Sequence, residues 1–303
     1  MSLRLTAYLG LTTTILCWAG NYIAASLMNN TIPPITGNFW RWGVAALILL
    51  PLTYRTLLEH KQAILRAWKY VLFQAALSIS IFNALLYLSA HSAAVISLNM
   101  IQTFSPVATF FLAWLVLGKK PSRHQLAGLA VAFIGIMILL SQGTPGNLLS
   151  IGASPGNLWM LLAVFCWGLY SVLLIKNPLT ELPPLAFLTV LVVAGLALMV
   201  PFYIVEFLVV GGIELNTQNI GIILYMGIFP SIIAFYFWNN GVAVVGPQVA
   251  ATFFYMMPIF VALLSYVILG DRLQPYQVTG QFFIFAGFYL SVFLDRKANR
   301  RQS

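Results

Sequence analysis

A single basic residue, Arg41, falls within a long apolar stretch of this sequence. If that stretch crosses a lipid bilayer, the guanidinium costs at least about 2.5–3.5 kcal/mol unless it meets a partner or water. One possible role is a counter-ion that holds a ligand carboxylate through paired hydrogen bonds. The other is structural, with the guanidinium bound to backbone carbonyls of neighbouring helices. The residue type alone leaves both roles open.

Twelve other aromatic and amide side chains lie near the middles of the apolar stretches. Amides buried in hydrocarbon must find partners, so they are expected to face the interior of a helix bundle. Aromatic walls with a few polar groups suit a medium-sized organic ligand. Any one ring is more often packed against lipid, so the set predicts a cavity lining better than a single member does. The candidates are Trp18, Asn21, Tyr22, Asn83, Tyr87, Asn99, Gln102, Trp167, Tyr170, Tyr236, Trp238 and Tyr255.

The sequence does not favour an enzyme. It contains no His-Glu-x-x-His, no Gly-x-Gly-Asp and no pair of acids inside an apolar stretch. Its two cysteines, Cys17 and Cys166, both lie in apolar runs and predict neither a disulfide framework nor a metal site. We therefore expect no catalytic residues, no metal and no cofactor.

Composition places the chain in a membrane. Of its 303 residues, 61% are hydrophobic and only 7% are charged, with a mean hydropathy of +0.92. A soluble chain carries about 25% charged residues, so this one cannot cover a water-facing surface. The net charge of +9 is spread too thinly for a basic face, which excludes nucleic acid as a partner. The expected partners are a lipid bilayer and a small-molecule substrate, and the chain is compatible with a monomer.

The fold class predicted is an all-α integral membrane protein with ten transmembrane helices, since each span needs about 20 mostly apolar residues. A stretch from Gln142 to Asn157, rich in Gly, Ser, Pro and Asn, predicts a connector between two halves. The predicted spans are Leu5–Met28, Ile35–Tyr54, Trp68–Tyr87, Ala93–Leu117, Gln125–Ser141, Leu158–Ile175, Leu185–Phe207, Ile220–Trp238, Pro247–Leu269 and Gln277–Leu294.

The positive charges predict the orientation. With both termini in the cytoplasm, thirteen of the fifteen Lys and Arg residues fall on the inner side, Arg272 falls outside and Arg41 lies within a helix. This asymmetry follows the positive-inside rule. We therefore expect a multi-pass protein of the bacterial inner membrane, with a basic cytoplasmic tail at 295–303 that anchors the topology.

The two halves of the sequence resemble each other, which predicts five-helix repeats at 1–141 and 158–294. Cys17-Trp18-Ala19 corresponds to Cys166-Trp167-Gly168, and Pro33-Pro34 corresponds to Pro183-Pro184. Because five is odd, the halves must be inverted across the bilayer, as in secondary transporters with a midplane site. Six further matches share one constant interval: Pro106, Leu117-Gly118, Gln125, Gly128, Phe133 and Gly135 recur as Pro258, Leu269-Gly270, Gln277, Gly280, Phe285 and Gly287.

Proline and glycine positions suggest how the helices bend and pack. Pro106 and Pro258 fall near the middles of the fourth and ninth predicted helices, where each removes a backbone hydrogen bond. They are hinge candidates for a rocking motion, or sites of a static bend. Gly128 and Gly135 lie two turns apart on one helix face, and so do their matches Gly280 and Gly287. This spacing predicts close helix packing.

Several motifs resemble the EamA family of the drug/metabolite transporter superfamily, over nearly the whole chain. Trp18-Ala19-Gly20-Asn21-Tyr22 is similar to its Trp-Gly-x-Asn-aromatic element, and Arg41-Trp42-Gly43-Val44-Ala45 to its Arg-aromatic-x-x-Ala element. Ala84 to Ala90, Pro106 and the two Leu-Gly joints fit the same pattern. Ser26 and Lys119 depart from it, where many relatives have lysine and glutamate. The resemblance implies ten helices in two inverted repeats and a transport function, with an Arg at position 41 whatever the substrate.

These observations predict an alternating-access exporter of small organic metabolites, with amino acids or related amphipathic compounds as the leading class. No charge ring or filter motif favours a channel. The mechanism expected is facilitated efflux or exchange, since the acids lie in loops or at helix ends and only His91 titrates near the predicted cavity. The alternative is a proton-coupled multidrug or metabolite efflux pump. The six acids are Glu59, Glu181, Glu206, Glu214, Asp271 and Asp295.

Overall fold

The computed structural model describes residues 2–28, 31–90, 98, 101–141, 143–144, 146, 155–270 and 274–291, apart from five side chains within them, those of Ser26, Tyr87, Ala90, Leu140 and Leu269. Over these residues the chain is helical and contains no strand. His91, Asn99, Asp271, Arg272, most of the predicted connector and the basic tail lie outside the described residues.

The α-helices of the described residues follow the predicted spans closely. They are α1 (Leu3–Met28), α2 (Pro34–Glu59), α3 (Lys61–Arg66), α4 (Trp68–Ala75), α5 (Phe82–Ala90), α6 (Ser105–Leu117), α7 (Arg123–Leu140), α8 (Pro155–Leu173), α9 (Pro184–Val210), α10 (Thr217–Met226), α11 (Ala234–Val245), α12 (Pro247–Thr252), α13 (Met257–Leu264) and α14 (Pro275–Tyr289).

Short π- and 3₁₀-helical stretches join some of these helices. A π-helix at Ala76–Ile81 connects α4 to α5, and a second at Gly227–Ile233 connects α10 to α11. Their last residues are separated by the same interval as Pro106 and Pro258. A 3₁₀ turn at Leu174–Lys176 follows α8, a second at Phe253–Met256 joins α12 to α13, and a π-helix at Ser265–Leu269 extends α13. Such π stretches are frequent at functional sites.

Among the described residues, six helical segments are long and apolar enough to cross a membrane, and shorter apolar helices cover Ser105–Leu117 and Arg123–Leu139. Each of the ten predicted spans contains helix in the part of the chain that the structure describes. The six long segments are Pro34–Glu59, Trp68–Leu86, Pro155–Lys176, Pro184–Val210, Thr217–Val245 and Pro247–Ile268. The chain is therefore a helical protein with several membrane-spanning segments.

Some predicted boundaries are wrong. Helix α11 continues to Val245, beyond the predicted end at Trp238, so Asn239 and Asn240 lie inside it. Asn240 Nδ2 donates to the carbonyl of Tyr236 at 2.9 Å, and Asn239 accepts a hydrogen bond from another helix. Helix α8 begins at Pro155, three residues before the predicted start of the sixth span at Leu158. Proline suits that position because the first turn needs no N–H donor.

The hinge candidates lie at helix starts. Pro106 is in the first turn of α6, after a turn at 103–104, and Pro258 is in the first turn of α13, after a 3₁₀ stretch. The expectation that each proline lies near the middle of one helix is therefore wrong, because in both places one helical segment ends and a new one begins. Broken helices of this kind line the sites of many transporters. A role in rocking stays a prediction.

Matching helices of the two halves make matching contacts. Helix α1 packs against α11 and α13, and its counterpart α8 packs against α5 and α6. Helix α2 packs against α9, and α7 against α14. The core is thus built from contacts between the halves, with each half supplying the partner for the other.

Helices α7 and α14 meet through the four matched glycines. A Cβ atom on Gly128 would lie 2.5 Å from the carbonyl oxygen of Gly287, and one on Gly135 would lie 2.5 Å from that of Gly280. Only a residue without a Cβ permits this approach. As Gly128 precedes Gly135 but faces the later glycine of the other pair, the two helices run antiparallel. The predicted close packing is confirmed.

A carboxylate from one half caps a helix of the other. Glu206, near the end of α9, accepts hydrogen bonds from the backbone N–H groups of Ile35 (3.1 Å) and Thr36 at the start of α2. The first N–H groups of a helix have no partner within it, and an anion there is favoured by the helix dipole. Farther along, Thr53 Oγ1 donates to Thr189 Oγ1 at 3.0 Å. These contacts hold α2 and α9 together as an antiparallel pair.

Candidate functional site

A cavity lies at the centre of the bundle, between the two predicted halves. About 400 Å³ of space between atoms belongs to the cavity and its open mouth. Helices α1, α2, α5, α8, α11 and α13 all contribute to its walls. The lining residues are Trp18, Asn21, Tyr22, Arg41, Phe82, Asn83, Leu86, Gln102, Trp167, Phe235, Phe254 and Met257.

Two matched tryptophans meet in the cavity wall. The rings of Trp18 and Trp167 are edge-to-face, with centroids 5.0 Å apart and an interplanar angle of 90°. Phe254 stacks on Trp18 at 5.6 Å, and Phe82 and Phe235 lie 5.2 and 5.4 Å from Trp167. Edge-to-face and offset pairs are the favoured aromatic geometries, so these rings hold one another in place. The wall is therefore a rigid apolar surface.

Arg41 brings the positive charge to this wall. It is 2% exposed, its Nε donates to Ser231 Oγ at 2.7 Å, and its Nη1 donates to Asn83 Oδ1 at 3.3 Å. Its guanidinium carbon also lies 4.9 Å from the centre of the Trp42 ring. These two hydrogen bonds reach neutral side chains on other helical segments. Arg41 therefore joins three helices at the edge of the cavity.

The π-helical stretches orient the two acceptors. Ser231 donates its hydroxyl to the carbonyl of Met226 at 2.7 Å, which leaves its lone pairs for Arg41. Asn83 donates its amide to the carbonyl of Ile79 at 2.9 Å, which points its oxygen at Arg41. Both bonds return to carbonyls in or next to a π stretch, where the ordinary helical ladder is interrupted. The local backbone thus sets the geometry of the charged group.

Three buried polar atoms of the lining have no hydrogen-bond partner. They are Asn21 Oδ1, Gln102 Oε1 and Trp167 Nε1, and their side chains are 7%, 1% and 2% exposed. Gln102 is held in place by a bond from its Nε2 to Ser105 Oγ at 3.0 Å. Buried polar groups are nearly always paired, and an unpaired one costs about 1–3 kcal/mol. Two acceptors and one donor on lining residues are therefore unsatisfied.

Seven of the predicted site residues line the cavity: Trp18, Asn21, Tyr22, Arg41, Asn83, Gln102 and Trp167. The side chain of Tyr87 and all of Asn99 lie outside the described residues. The remaining four, Tyr170, Tyr236, Trp238 and Tyr255, are not in the lining. Whether a side chain lines the cavity depends on the rotation of its helix and on its depth in the bundle. A predicted span with approximate ends specifies neither.

Tyr170 and Trp238 lie beyond the cavity, toward the end of the bundle that carries Lys176. Tyr170 Oη donates to Asn239 Oδ1 at 2.6 Å, and Trp238 Nε1 donates to Ser171 Oγ at 3.2 Å. Elsewhere, Tyr255 is buried in a separate apolar cluster with Ile136 of α7 and Ile284 of α14. Tyr236 is half-buried beside Phe237.

The sequence analysis missed five apolar lining residues: Phe82, Leu86, Phe235, Phe254 and Met257. The internal repeat contained a signal for two of them. The interval that relates Pro106 to Pro258 also relates Asn83 to Phe235 and Gln102 to Phe254. A residue that matches a polar candidate can thus share its site while carrying no polar group of its own.

The electrostatics of the cavity are simple. Its lining, as far as the structure describes it, contains one charged side chain, Arg41, and no Asp, Glu or His. Of the described acids, Glu59, Glu181 and Glu214 are exposed and Glu206 caps α2. The described lining is therefore positive at one edge and uncharged elsewhere.

The model of the EamA-like transporter family matches this chain twice, over residues 5–141 and 154–293. The chain belongs to that family. As an EamA-like transporter it is a membrane transport protein and not an enzyme, and the two matched segments fall one in each half of the chain.

Individual relatives agree with this assignment. An uncharacterised transporter of Bacillus subtilis is 26% identical over 84% of this chain and 83% of its own length. A protein of Salmonella typhimurium named a probable amino-acid metabolite efflux pump is 26% identical over 61% of this chain and 63% of its own. A solved crystal structure covers 97% of this chain and 99% of its own, with a TM-score of 0.76 and 17% identity. That likeness shows a shared fold.

Proposed function

We propose that this EamA-like transporter exports amino acids or related small amphipathic compounds by alternating access, with the substrate bound in the central cavity. The observation that carries the proposal is the set of unpaired polar atoms, Asn21 Oδ1, Gln102 Oε1 and Trp167 Nε1, that shares an aromatic cavity with Arg41. The name of the Salmonella relative, a probable amino-acid metabolite efflux pump, points to the same substrate class.

The arrangement suits a zwitterion. Arg41 and the indole N–H of Trp167 supply donors for a carboxylate, in which the guanidinium contributes charge and paired geometry. Asn21 Oδ1 and Gln102 Oε1 supply acceptors for an ammonium group. The rings of Trp18 and Trp167 offer a flat surface for the apolar part of the substrate. A substrate with these three features relieves every unpaired lining atom at once.

The proposed architecture is ten helices in two inverted five-helix repeats, 1–141 and 158–294, with a connector at 142–157. Three observations support it. The family model matches each half, the first two π-helices end at matching positions, and matching helices make matching contacts. The antiparallel contact of α7 with α14 supports the inversion, because these are corresponding helices of the two halves.

The proposed orientation places both termini and the tail 295–303 in the cytoplasm of a bacterial cell. The positive-inside rule supports it, and relatives in Bacillus and Salmonella support a location in the bacterial inner (plasma) membrane. Lys119 and Lys176 then mark the cytoplasmic end of the bundle, where Lys176 Nζ donates to the carbonyl of Val116 at 3.1 Å.

For the driving force, we propose facilitated efflux or exchange. Proton-coupled pumps run their relay through an intramembrane Asp, Glu or His. The described lining contains none of these residues, and Arg41 stays charged at any physiological pH.

Counterflow in proteoliposomes tests the proposal. Vesicles preloaded with a candidate amino acid should take up the labelled compound saturably, and protein-free vesicles should not. The panel should cover aromatic, aliphatic and acidic amino acids, with their decarboxylated amines as matched compounds that lack the group for Arg41. Exchange of the amines at the same rate as the amino acids would remove the proposed carboxylate site. Uptake driven only by a pH gradient would favour a proton-coupled pump instead.

A further inference from the structure

Trp18 and Trp167 hold matching positions in the two halves, but their indole N–H groups differ. Both side chains are buried, with 9% and 2% of their surfaces exposed. Trp18 Nε1 donates to the carbonyl of Pro230 at 3.0 Å. Trp167 Nε1 is buried without a partner among the described residues. One residue type in one position of the repeat is thus paired on α1 and unpaired on α8.

The acceptor that Trp18 uses has a counterpart in the other half. By the interval between the two hinge candidates, Pro230 corresponds to Ser78, and each of them lies in a π stretch. Helix α1 packs against the π stretch that contains Pro230, and α8 packs against the one that contains Ser78. A carbonyl that matches the acceptor of Trp18 is therefore present in the segment beside α8.

Asn83 occupies that matching carbonyl. Its Nδ2 donates to the carbonyl of Ser78 at 3.3 Å, and its Oδ1 accepts from Arg41 Nη1 at the same distance. The residue that corresponds to Asn83 in the second half is Phe235, which carries no donor and leaves its carbonyl to the tryptophan of α1. One difference between the halves, an amide in place of a ring, therefore accounts for the unpaired indole N–H on α8.

We infer that Trp167 determines specificity for a substrate carboxylate and that Asn83 is the positioning residue that keeps its indole N–H available. The inference rests on the function proposed above. An indole N–H can only donate, and a buried donor regains its hydration only from an acceptor. Asn83 holds Arg41 with its amide oxygen and occupies the Ser78 carbonyl with its amide nitrogen, so one side chain serves both donors. Trp18, whose N–H is already bonded, contributes ring surface.

A pair of donors of this kind favours a carboxylate over other polar groups. Arg41 and Trp167 line the same cavity, and the two oxygens of a carboxylate can accept from one donor each. An analogue with the same side chain but no carboxylate leaves the buried indole N–H unpaired. A site built to bond a polar group rejects an analogue that lacks it far more strongly than an apolar pocket does. The cavity should therefore discriminate against decarboxylated amines, in part through Trp167.

Competition in counterflow measures this discrimination. The probes are leucine and phenylalanine, each compared with its decarboxylated amine, isoamylamine or phenethylamine, as an inhibitor of labelled amino-acid exchange. Trp167→Phe should lower the preference for the amino acid by about tenfold or more, because a hydrogen bond to a charged group is lost. Its melting temperature should be unchanged or higher, since the substitution removes a buried donor that has no partner.

Two other tryptophans serve as comparisons. Trp18→Phe deletes the bond to Pro230, so it should lower the melting temperature while the preference for the amino acid over the amine is retained. Trp238 is a fully buried tryptophan outside the described lining, and its Nε1 donates to Ser171 Oγ at 3.2 Å. Trp238→Phe should likewise lower the melting temperature and leave the preference as it is in the parent.

Nitrogen-15 NMR of the indole groups tests the positioning role of Asn83 without any substrate. The signal of Trp167, assigned by its loss in Trp167→Phe, should have the chemical shift of an N–H that makes no bond to protein. Asn83→Phe introduces the residue of the second half and frees the Ser78 carbonyl, so the signal should move downfield to that of a bonded N–H. Asn83→Leu removes the same donor with a smaller side chain and should move the signal in the same direction. Ser231→Ala is the matched control, because it loosens Arg41 but leaves Asn83 in place, and it should not move the signal.

The possible outcomes separate this inference from the proposed function. If Trp167→Phe keeps the parent's preference, or if Trp18→Phe loses it equally, the role of Trp167 is overturned and the export of amino acids stands. If the Trp167 signal stays in place in both Asn83 variants, the positioning role of Asn83 is overturned. If the parent exchanges no amino acid of the panel, the proposed substrate class is itself overturned, and this inference with it.

Discussion

Arg41 and Ser231 join the two halves of this transporter through a buried hydrogen bond of 2.7 Å from the guanidinium Nε to the hydroxyl oxygen. Arg41 belongs to the second helix of the first half, and Ser231 to a π stretch in the third long helical segment of the second half. The bond fixes the guanidinium while its carbon lies beside the Trp42 ring and its side chain lines the cavity. Binding and structural roles therefore meet in one residue.

A substitution that removes the charge of Arg41 should separate its binding role from its structural role. Arg41→Gln should lower counterflow by at least about tenfold, because hydrogen bonds to a charged group contribute about 1.5–3 kcal/mol. Ser231→Ala is the matched control, since it removes one contact of the guanidinium and keeps the charge. We expect it to lower thermal stability in detergent but to retain most transport. Loss of folded protein in both variants would instead support a purely structural Arg41.

Asn21→Leu should move stability and transport in opposite directions. The substitution removes a buried acceptor that has no partner, which should raise the free energy of unfolding by about 1 kcal/mol or more. The same change deletes a proposed substrate contact, so counterflow should fall. Thermal denaturation followed by size-exclusion chromatography and transport in vesicles measure the two effects. A variant that is less stable would show that Asn21 is satisfied in the membrane.

The glycine contact between α7 and α14 predicts a strong steric effect. Gly128→Ala would place a methyl group 2.5 Å from the carbonyl of Gly287, so the helices must separate. We expect a loss of about 1–3 kcal/mol, typical of overpacking. Gly221→Ala on α10 is the control, because a Cβ there meets nothing within 4 Å. It should be neutral or slightly stabilising, by up to about 1 kcal/mol, since alanine is the better helix former.

Glu206→Gln should weaken the pairing of α2 with α9. The carboxylate accepts from two backbone N–H groups at the start of α2, whereas an amide offers one oxygen and no charge. The expected loss is about 0.5–2 kcal/mol, as for other helix caps, read as a lower melting temperature. Glu181→Gln, at an exposed position, should leave the melting temperature unchanged. An equal loss in both variants would point to surface charge rather than capping.

Transport should not depend on a proton gradient, because the described cavity lining contains no carboxylate or imidazole. Dissipating a pH difference across the vesicle membrane should leave the counterflow rate unchanged. His91→Gln should also have no effect on that rate. A rate that collapses with the gradient, and again in the histidine variant, would favour the proton-coupled pump.

Much of this protein could be predicted from its sequence because a bilayer imposes simple rules. Composition predicted a membrane protein, and apolar runs of about 20 residues predicted that it is helical. The repeat was visible because its matched residues, such as Gly128 and Gly280, are kept by close packing that tolerates no Cβ. Buried polar side chains such as Arg41 and Asn21 stood out against an apolar background, and both line the cavity.

Only the tertiary structure decided which aromatic residues face the cavity and which polar atoms are paired. Tyr170 and Trp167 lie on the same helix within one turn. Tyr170 is hydrogen-bonded to Asn239 outside the cavity lining, whereas Trp167 lines the cavity and has an unpaired N–H. That difference depends on the depth and rotation of α8 against α11, which an apolar stretch with uncertain ends does not specify. The broken helices at Pro106 and Pro258 escaped prediction for a similar reason. A proline permits both a kink and a new helix start, and packing selects between them.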